Sequence, residues 1–79
     1  MDKKFNLIIS NPEILGGKPC IKGSRISVEI ILEWLASGAS VKQIAEKNKN
    51  ISEEAINQAI LFASKFIENE ILINVEDVA

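Results

Sequence analysis

The chain has 79 residues, a hydrophobic fraction of 47% and a formal net charge of -2, values that favour one folded domain spanning residues 1–79 and exclude a disordered chain. It contains no histidine and a single cysteine, which excludes histidine-based acid–base catalysis, zinc sites of the Cys/His type and an internal disulfide. It has no signal segment and no apolar run of about 20 residues that could span a bilayer, so we expect a cytoplasmic protein that does not contact a membrane.

Charge is distributed unevenly along the chain. Residues 1–26 carry five basic and two acidic residues, a balance of +3, whereas residues 27–79 carry four basic and nine acidic residues, a balance of -5. An anion-binding surface is therefore expected in the N-terminal segment, because the rest of the chain repels phosphate. The acidic isoelectric point also argues against a protein that coats nucleic acid by charge alone.

Residues 1–26 are predicted to form an extended arm with one or two short strands. Residues 5–9 are an apolar run that predicts a strand or a docking segment. The Gly-Gly-Lys-Pro sequence of residues 16–19 predicts a turn. Residues 20–26 alternate imperfectly between apolar and polar side chains, and Gly23 there weakens a regular strand or permits a bulge.

The first helix is predicted over residues 28–37, with Ser27 as its N-cap and Gly38 as its stop. Its apolar residues cover more than half of the helix circumference, although a surface helix of a monomer needs an apolar arc of only about 100°. We therefore expect burial on two sides, against its own domain and against either the arm or a second subunit. Ile30 and Trp34 are the candidate dimer-interface residues, although core packing explains Trp34 equally well.

Two more helices are predicted after Gly38. Ser40 and Gln43 have the spacing of a capping box that opens a short second helix. A four-residue turn follows, and Ser52 then caps a third helix that is predicted to end near Glu68. The apolar tail, residues 69–79, is compatible with a continuation of that helix or with a short strand.

The predicted fold is therefore mainly α. A trihelical helix-turn-helix core over residues 27–68 follows the extended arm of residues 1–26, and the tail completes the domain.

Three segments of the chain resemble the domain of unknown function 433 family. Residues 11–28 read NPEILGGKPCIKGSRISV, close to the family pattern dPeilgGkPvikGTRIpV. Residues 35–40 read LASGAS, and residues 52–60 read SEEAINQAI, like the small-Gly-small step and the closing helix of the family. The resemblance covers roughly residues 7–66. Where the family usually has a Tyr-Pro pair before the third helix this chain has Asn-Lys-Asn-Ile, and Ser24 replaces the usual threonine.

This resemblance implies a homeodomain-like helix-turn-helix core and a tendency to form homodimers. It also implies an antitoxin-like role, in which the protein neutralises a PIN-like ribonuclease toxin that is encoded beside it.

The arm supplies three candidate contacts with a nucleic acid or a partner protein, Lys18, Lys22 and Arg25. Cationic side chains and the backbone N–H groups of a glycine-rich turn can bind phosphate. The favoured alternative is structural: the glycines shape the turn, and Arg25 pairs with Glu29 or Glu33 to hold the arm on the first helix.

The third helix supplies two further candidates, Asn57 and Gln58, which are expected to be exposed and can read adenine. Glu53 and Glu54 would lie close to the DNA phosphates, and Lys65 is the helix's lone basic residue. DNA is therefore not favoured, because a reader of the major groove normally uses several cations to fix its register.

No arrangement of residues predicts an enzyme, a metal site or a cofactor. The exposed glutamates lack a histidine or an aspartate cluster that would complete such a site. We expect a non-catalytic, homodimeric, antitoxin-like protein that binds a protein partner. The alternative is a sequence-specific DNA-binding regulator, and a third hypothesis is a purely structural dimerisation module.

Overall fold

The computed structural model describes the backbone of residues 5–78 and the side chains of residues 5–65. This part of the chain contains two short strands and three α-helices, and a 3-10 turn lies between the strands. They follow one another as β1 (Ile8–Ile9), the 3-10 turn (Leu15–Gly17), β2 (Cys20–Ile21), α1 (Val28–Ala36), α2 (Val41–Lys47) and α3 (Glu53–Val78). The predicted mainly-α fold with N-terminal strands is confirmed.

Strands β1 and β2 pair in antiparallel order, with Ile8 opposite Ile21 and Ile9 opposite Cys20. Ile8, Cys20 and Ile21 are fully buried. A two-stranded ribbon of this length is not stable in water by itself, so its burial against α1 and α3 must hold it in place. The arm is therefore part of the core and not a separate appendage.

Helix α1 begins as predicted, because the Ser27 hydroxyl accepts a hydrogen bond from the backbone N–H of Ile30 at 3.0 Å. Val28 and Ile31 face the core, and Trp34 packs against the core from one flank. Ile30 is half-buried but lies outside the set of side chains packed against the core. The apolar circumference of α1 is thus only partly covered by its own domain.

Helices α2 and α3 begin at the predicted caps. The Ser40 hydroxyl accepts from the Gln43 backbone N–H at 3.0 Å, and the Gln43 side chain accepts from the Ser40 backbone N–H at 2.9 Å. The Ser52 hydroxyl accepts from the Ala55 backbone N–H at 3.1 Å. Helix caps of this kind can be predicted from sequence because each depends on residues only three positions apart.

The predicted end of the third helix near Glu68 is wrong, because α3 continues to Val78. The tail therefore extends the helix and does not form a strand. No glycine or proline occurs between Glu53 and Val78, so no residue there has the chemistry that normally stops a helix.

The core lies where the three helices meet the arm. Its centre is formed by side chains that are at most 5% exposed: Ile8, Ile21, Ile31, Ile44, Ile51, Ala55, Ile56 and Ala59. Within the described residues, no helix combines the length and the apolar character that crossing a bilayer would require.

Candidate binding surface

The arm is clamped to α3 by Gln58. The backbone N–H of Leu7 donates to Gln58 Oε1 at 3.0 Å, and Gln58 Nε2 donates to Asn6 Oδ1 at 2.9 Å. Beside this clamp, the rings of Phe5 and Phe62 meet edge to face with centroids 5.4 Å apart. These contacts join segments that are far apart in sequence.

This clamp corrects the prediction that Gln58 is exposed. Its side chain is half-buried, and both ends of its amide already have partners in the arm. Neighbouring Asn57 is exposed, as predicted. Helical periodicity alone placed Gln58 on the polar edge of the helix. Phe5 and Leu7 are apolar and are expected to be buried against another part of the chain. They were the available signal that the arm packs on α3 beside Gln58.

Lys18 forms the ion pair that was predicted for Arg25. Lys18 Nζ lies 3.0 Å from Glu29 Oε1, and both side chains are 62% exposed. An exposed pair of this kind contributes roughly 0.2–1 kcal/mol. Arg25 is exposed, and within residues 5–65 no carboxylate pairs with it, so its predicted pairing with Glu29 or Glu33 is wrong. The link between the arm and α1 exists, but a different cation makes it.

Three exposed cations from two loops lie around one stretch of surface. Lys22 and Lys49 line the same shallow cleft, and Arg25 lines the neighbouring one. Asn50 lines both clefts and so joins them. We call these four residues the loop cation patch. Lys49 was not among the predicted binding residues, because it belongs to the acidic part of the sequence and only the fold brings it to the arm.

The arm loop that carries Lys22 and Arg25 is held by hydrogen bonds and burial. The backbone N–H of Lys22 donates to the Leu7 carbonyl at 2.8 Å. The Ser24 hydroxyl is buried, donates to the Ile21 carbonyl at 2.8 Å and accepts from the Ile26 N–H at 3.0 Å. A fixed backbone leaves only the cationic side chains to be ordered when a ligand binds, which lowers the entropic cost of binding.

The cleft between Lys22 and Lys49 has an apolar floor and a charged rim. Four apolar residues line it, namely Leu7, Ile21, Ile51 and Ala55. Ser52 lines the same cleft, and the exposed Glu53 and Glu54 follow it in the first turn of α3. The surface therefore presents both signs of charge around a small apolar depression.

The second region of interest is the groove beside Trp34. This groove runs between the end of α1 and α2, and Gln43, Glu46 and Lys47 also line it. Trp34 is half-buried, like Ile30 one turn before it. Both positions leave apolar surface accessible, and their role in a dimer interface stays a prediction.

Residues 5–65 contain no group of three acidic or cysteine side chains that could hold a metal ion. Cys20 is a buried free thiol in strand β2 of the arm.

The chain is similar to a known protein family and to one curated protein. A protein-family model described as "Protein of unknown function (DUF433)" matches residues 8–63, which include the whole loop cation patch. The uncharacterised protein y4eO of Sinorhizobium fredii (strain NBRC 101917 / NGR234) is 33% identical to the chain over 57 residues. The alignment covers 72% of this chain and 26% of y4eO, so the chain spans about a quarter of the length of that relative. No solved structure matches the chain.

Proposed function

The chain belongs to the DUF433 family, whose function is unknown, and we propose that it is a non-catalytic, antitoxin-like regulatory protein that binds a partner protein. The proposed partner is a PIN-like ribonuclease toxin, the class implied by the resemblance of the arm signature, and the proposed compartment is the cytoplasm. In this proposal the three helices are a homeodomain-like helix-turn-helix scaffold that presents a binding surface.

The observation that carries the proposal concerns the polar side chains of α3, the helix that would read DNA in a helix-turn-helix protein. The amide of Gln58 is engaged by the arm, and the exposed Glu53 and Glu54 occupy the first turn. Of the two predicted base-reading side chains, only Asn57 is exposed. These features favour a scaffold for protein binding, because acidic side chains in the first turn would repel the phosphates that lie beside a recognition helix.

A homodimer is part of the proposal. Ile30 and Trp34 lie one turn apart on the flank of α1 that its own domain covers only in part. Aromatic and aliphatic side chains of this kind anchor protein interfaces. The second copy of the chain would cover this flank and leave the loop cation patch, on different loops, to the partner.

DNA binding is the second candidate function, and one observation favours it. Lys22, Arg25 and Lys49 have no carboxylate partner within residues 5–65 and could contact phosphates. In this alternative Asn57 would contact a base.

The two candidates are separated by affinity capture of the tagged chain from its native host at moderate salt. Mass spectrometry identifies bound proteins, and nucleic-acid staining of the eluate identifies bound DNA. We expect a small PIN-like nuclease and no discrete DNA fragment. A discrete DNA fragment without a protein partner, lost on replacement of Asn57→Ala, would overturn the proposal in favour of DNA binding.

A further inference from the structure

We propose that the loop cation patch binds an acidic segment of the partner protein, with one apolar side chain of that segment in the cleft between Lys22 and Lys49. The inference rests on the proposed function and adds the chemistry of the contact. It concerns a protein segment and not a nucleic acid.

The three cations of the patch are available to a ligand. The one ion pair within residues 5–65 joins Lys18 to Glu29, so Lys22, Arg25 and Lys49 have no carboxylate partner there. All three side chains are exposed. A guanidinium group can bind a carboxylate through two parallel hydrogen bonds, and an ammonium group adds a point charge beside it. Carboxylates of a partner are the matching groups.

The cleft between Lys22 and Lys49 offers an apolar floor to a side chain of the partner. Leu7 is half-buried and lines it together with Ile21, Ile51 and Ala55. An apolar side chain placed there would cover this floor, whereas a phosphate would gain nothing from contact with it. Interfaces between proteins commonly place an apolar anchor inside a polar rim.

Charges of both signs surround the cleft. The exposed Glu53 and Glu54 begin α3 directly after Ser52, which lines the cleft. A DNA duplex carries one negative charge for about every 1.7 Å of its axis, so it would bring phosphates to the glutamates as well as to the lysines. A protein segment can place acidic residues opposite the lysines and a neutral or basic residue opposite the glutamates.

The probe for the test is a short fluorescein-labelled peptide of glutamates around one central leucine. A peptide with serine in place of the leucine and a labelled DNA duplex of similar length serve as comparisons. Fluorescence anisotropy measures the binding of each probe by the full chain at low and moderate salt. We expect the leucine peptide to bind at least about tenfold more tightly than the duplex and about threefold more tightly than the serine peptide.

Charge reversal then locates the contact. The double variant Lys22→Glu with Lys49→Glu is expected to weaken binding of the leucine peptide at least about tenfold. Lys42→Glu, an exposed lysine of α2 outside the patch, is the matched control and should change binding less than about twofold. The milder pair Lys22→Gln with Lys49→Gln gives the same direction of change if charge reversal disturbs folding, which circular dichroism reports.

Three results would overturn the inference: no detectable peptide binding, tighter binding of the duplex, or equal losses in the patch and control variants. Its failure is distinguishable from failure of the proposed function. If the Lys22→Glu, Lys49→Glu variant captures the same PIN-like nuclease as the wild type, the protein binds a partner but does not use this patch.

Discussion

Replacement of Gln58→Ala tests whether the arm is an integral part of the fold. The Gln58 amide accepts from the Leu7 backbone N–H and donates to Asn6 Oδ1, at 3.0 and 2.9 Å. A typical intramolecular hydrogen bond contributes about 0.5–1.5 kcal/mol net, so the loss of two lowers the free energy of unfolding by about 1–3 kcal/mol. For a domain of this size each kcal/mol corresponds to a fall in Tm of roughly 4–8 °C.

The assay is thermal and urea unfolding followed by far-UV circular dichroism, with hydrogen exchange of the Leu7 amide as a local readout. Asn57→Ala is the matched control, because Asn57 is exposed on the same helix and its replacement is expected to change stability by no more than about 0.5 kcal/mol. If Gln58→Ala is as stable as Asn57→Ala and the Leu7 amide stays protected, the clamp is not a stabilising contact and the reasoning is wrong.

Three further variants test other parts of the account. Ile56→Ala, at a side chain with no exposed surface, should cost about 2–5 kcal/mol in urea unfolding, and a loss below about 1 kcal/mol would contradict its central place in the core. Lys18→Ala should cost less than about 1 kcal/mol and become neutral at high salt, because its pair with Glu29 is exposed; a salt-independent loss would contradict an electrostatic role. Trp34→Glu should abolish a homodimer, as measured by sedimentation, or unfold the domain, as measured by circular dichroism. An intact dimer would mean that the interface lies elsewhere.

The helix starts were predictable because each depends on a few adjacent residues. Ser27, Ser40 and Ser52 cap the helices as their spacing predicts. The end of α3 was not predictable in this way, since no glycine or proline marks it and the apolar tail fits a helix or a strand equally well. Boundaries without a local signal depend on the balance of helix propensity over many residues.

The candidate surface was less predictable, because it depends on contacts between distant segments. Arg25 was expected to hold the arm on α1, but Lys18 makes that contact and Arg25 lies beside Asn50 of the α2–α3 turn. Lys49 reaches the arm only in the folded chain. Gln58 looks like an exposed helix residue until the arm is placed over it. Sequence patterns predict which residues are charged or apolar, whereas the tertiary fold decides which of them meet.

Inhibition of the captured nuclease is the most direct test of the proposed function. The PIN-like nuclease obtained from the native host is titrated with the full chain while cleavage of a labelled RNA is recorded. The account predicts that cleavage falls in proportion to the added chain and stops at a fixed stoichiometric ratio. Unchanged cleavage at a large excess of the chain would contradict the antitoxin-like function.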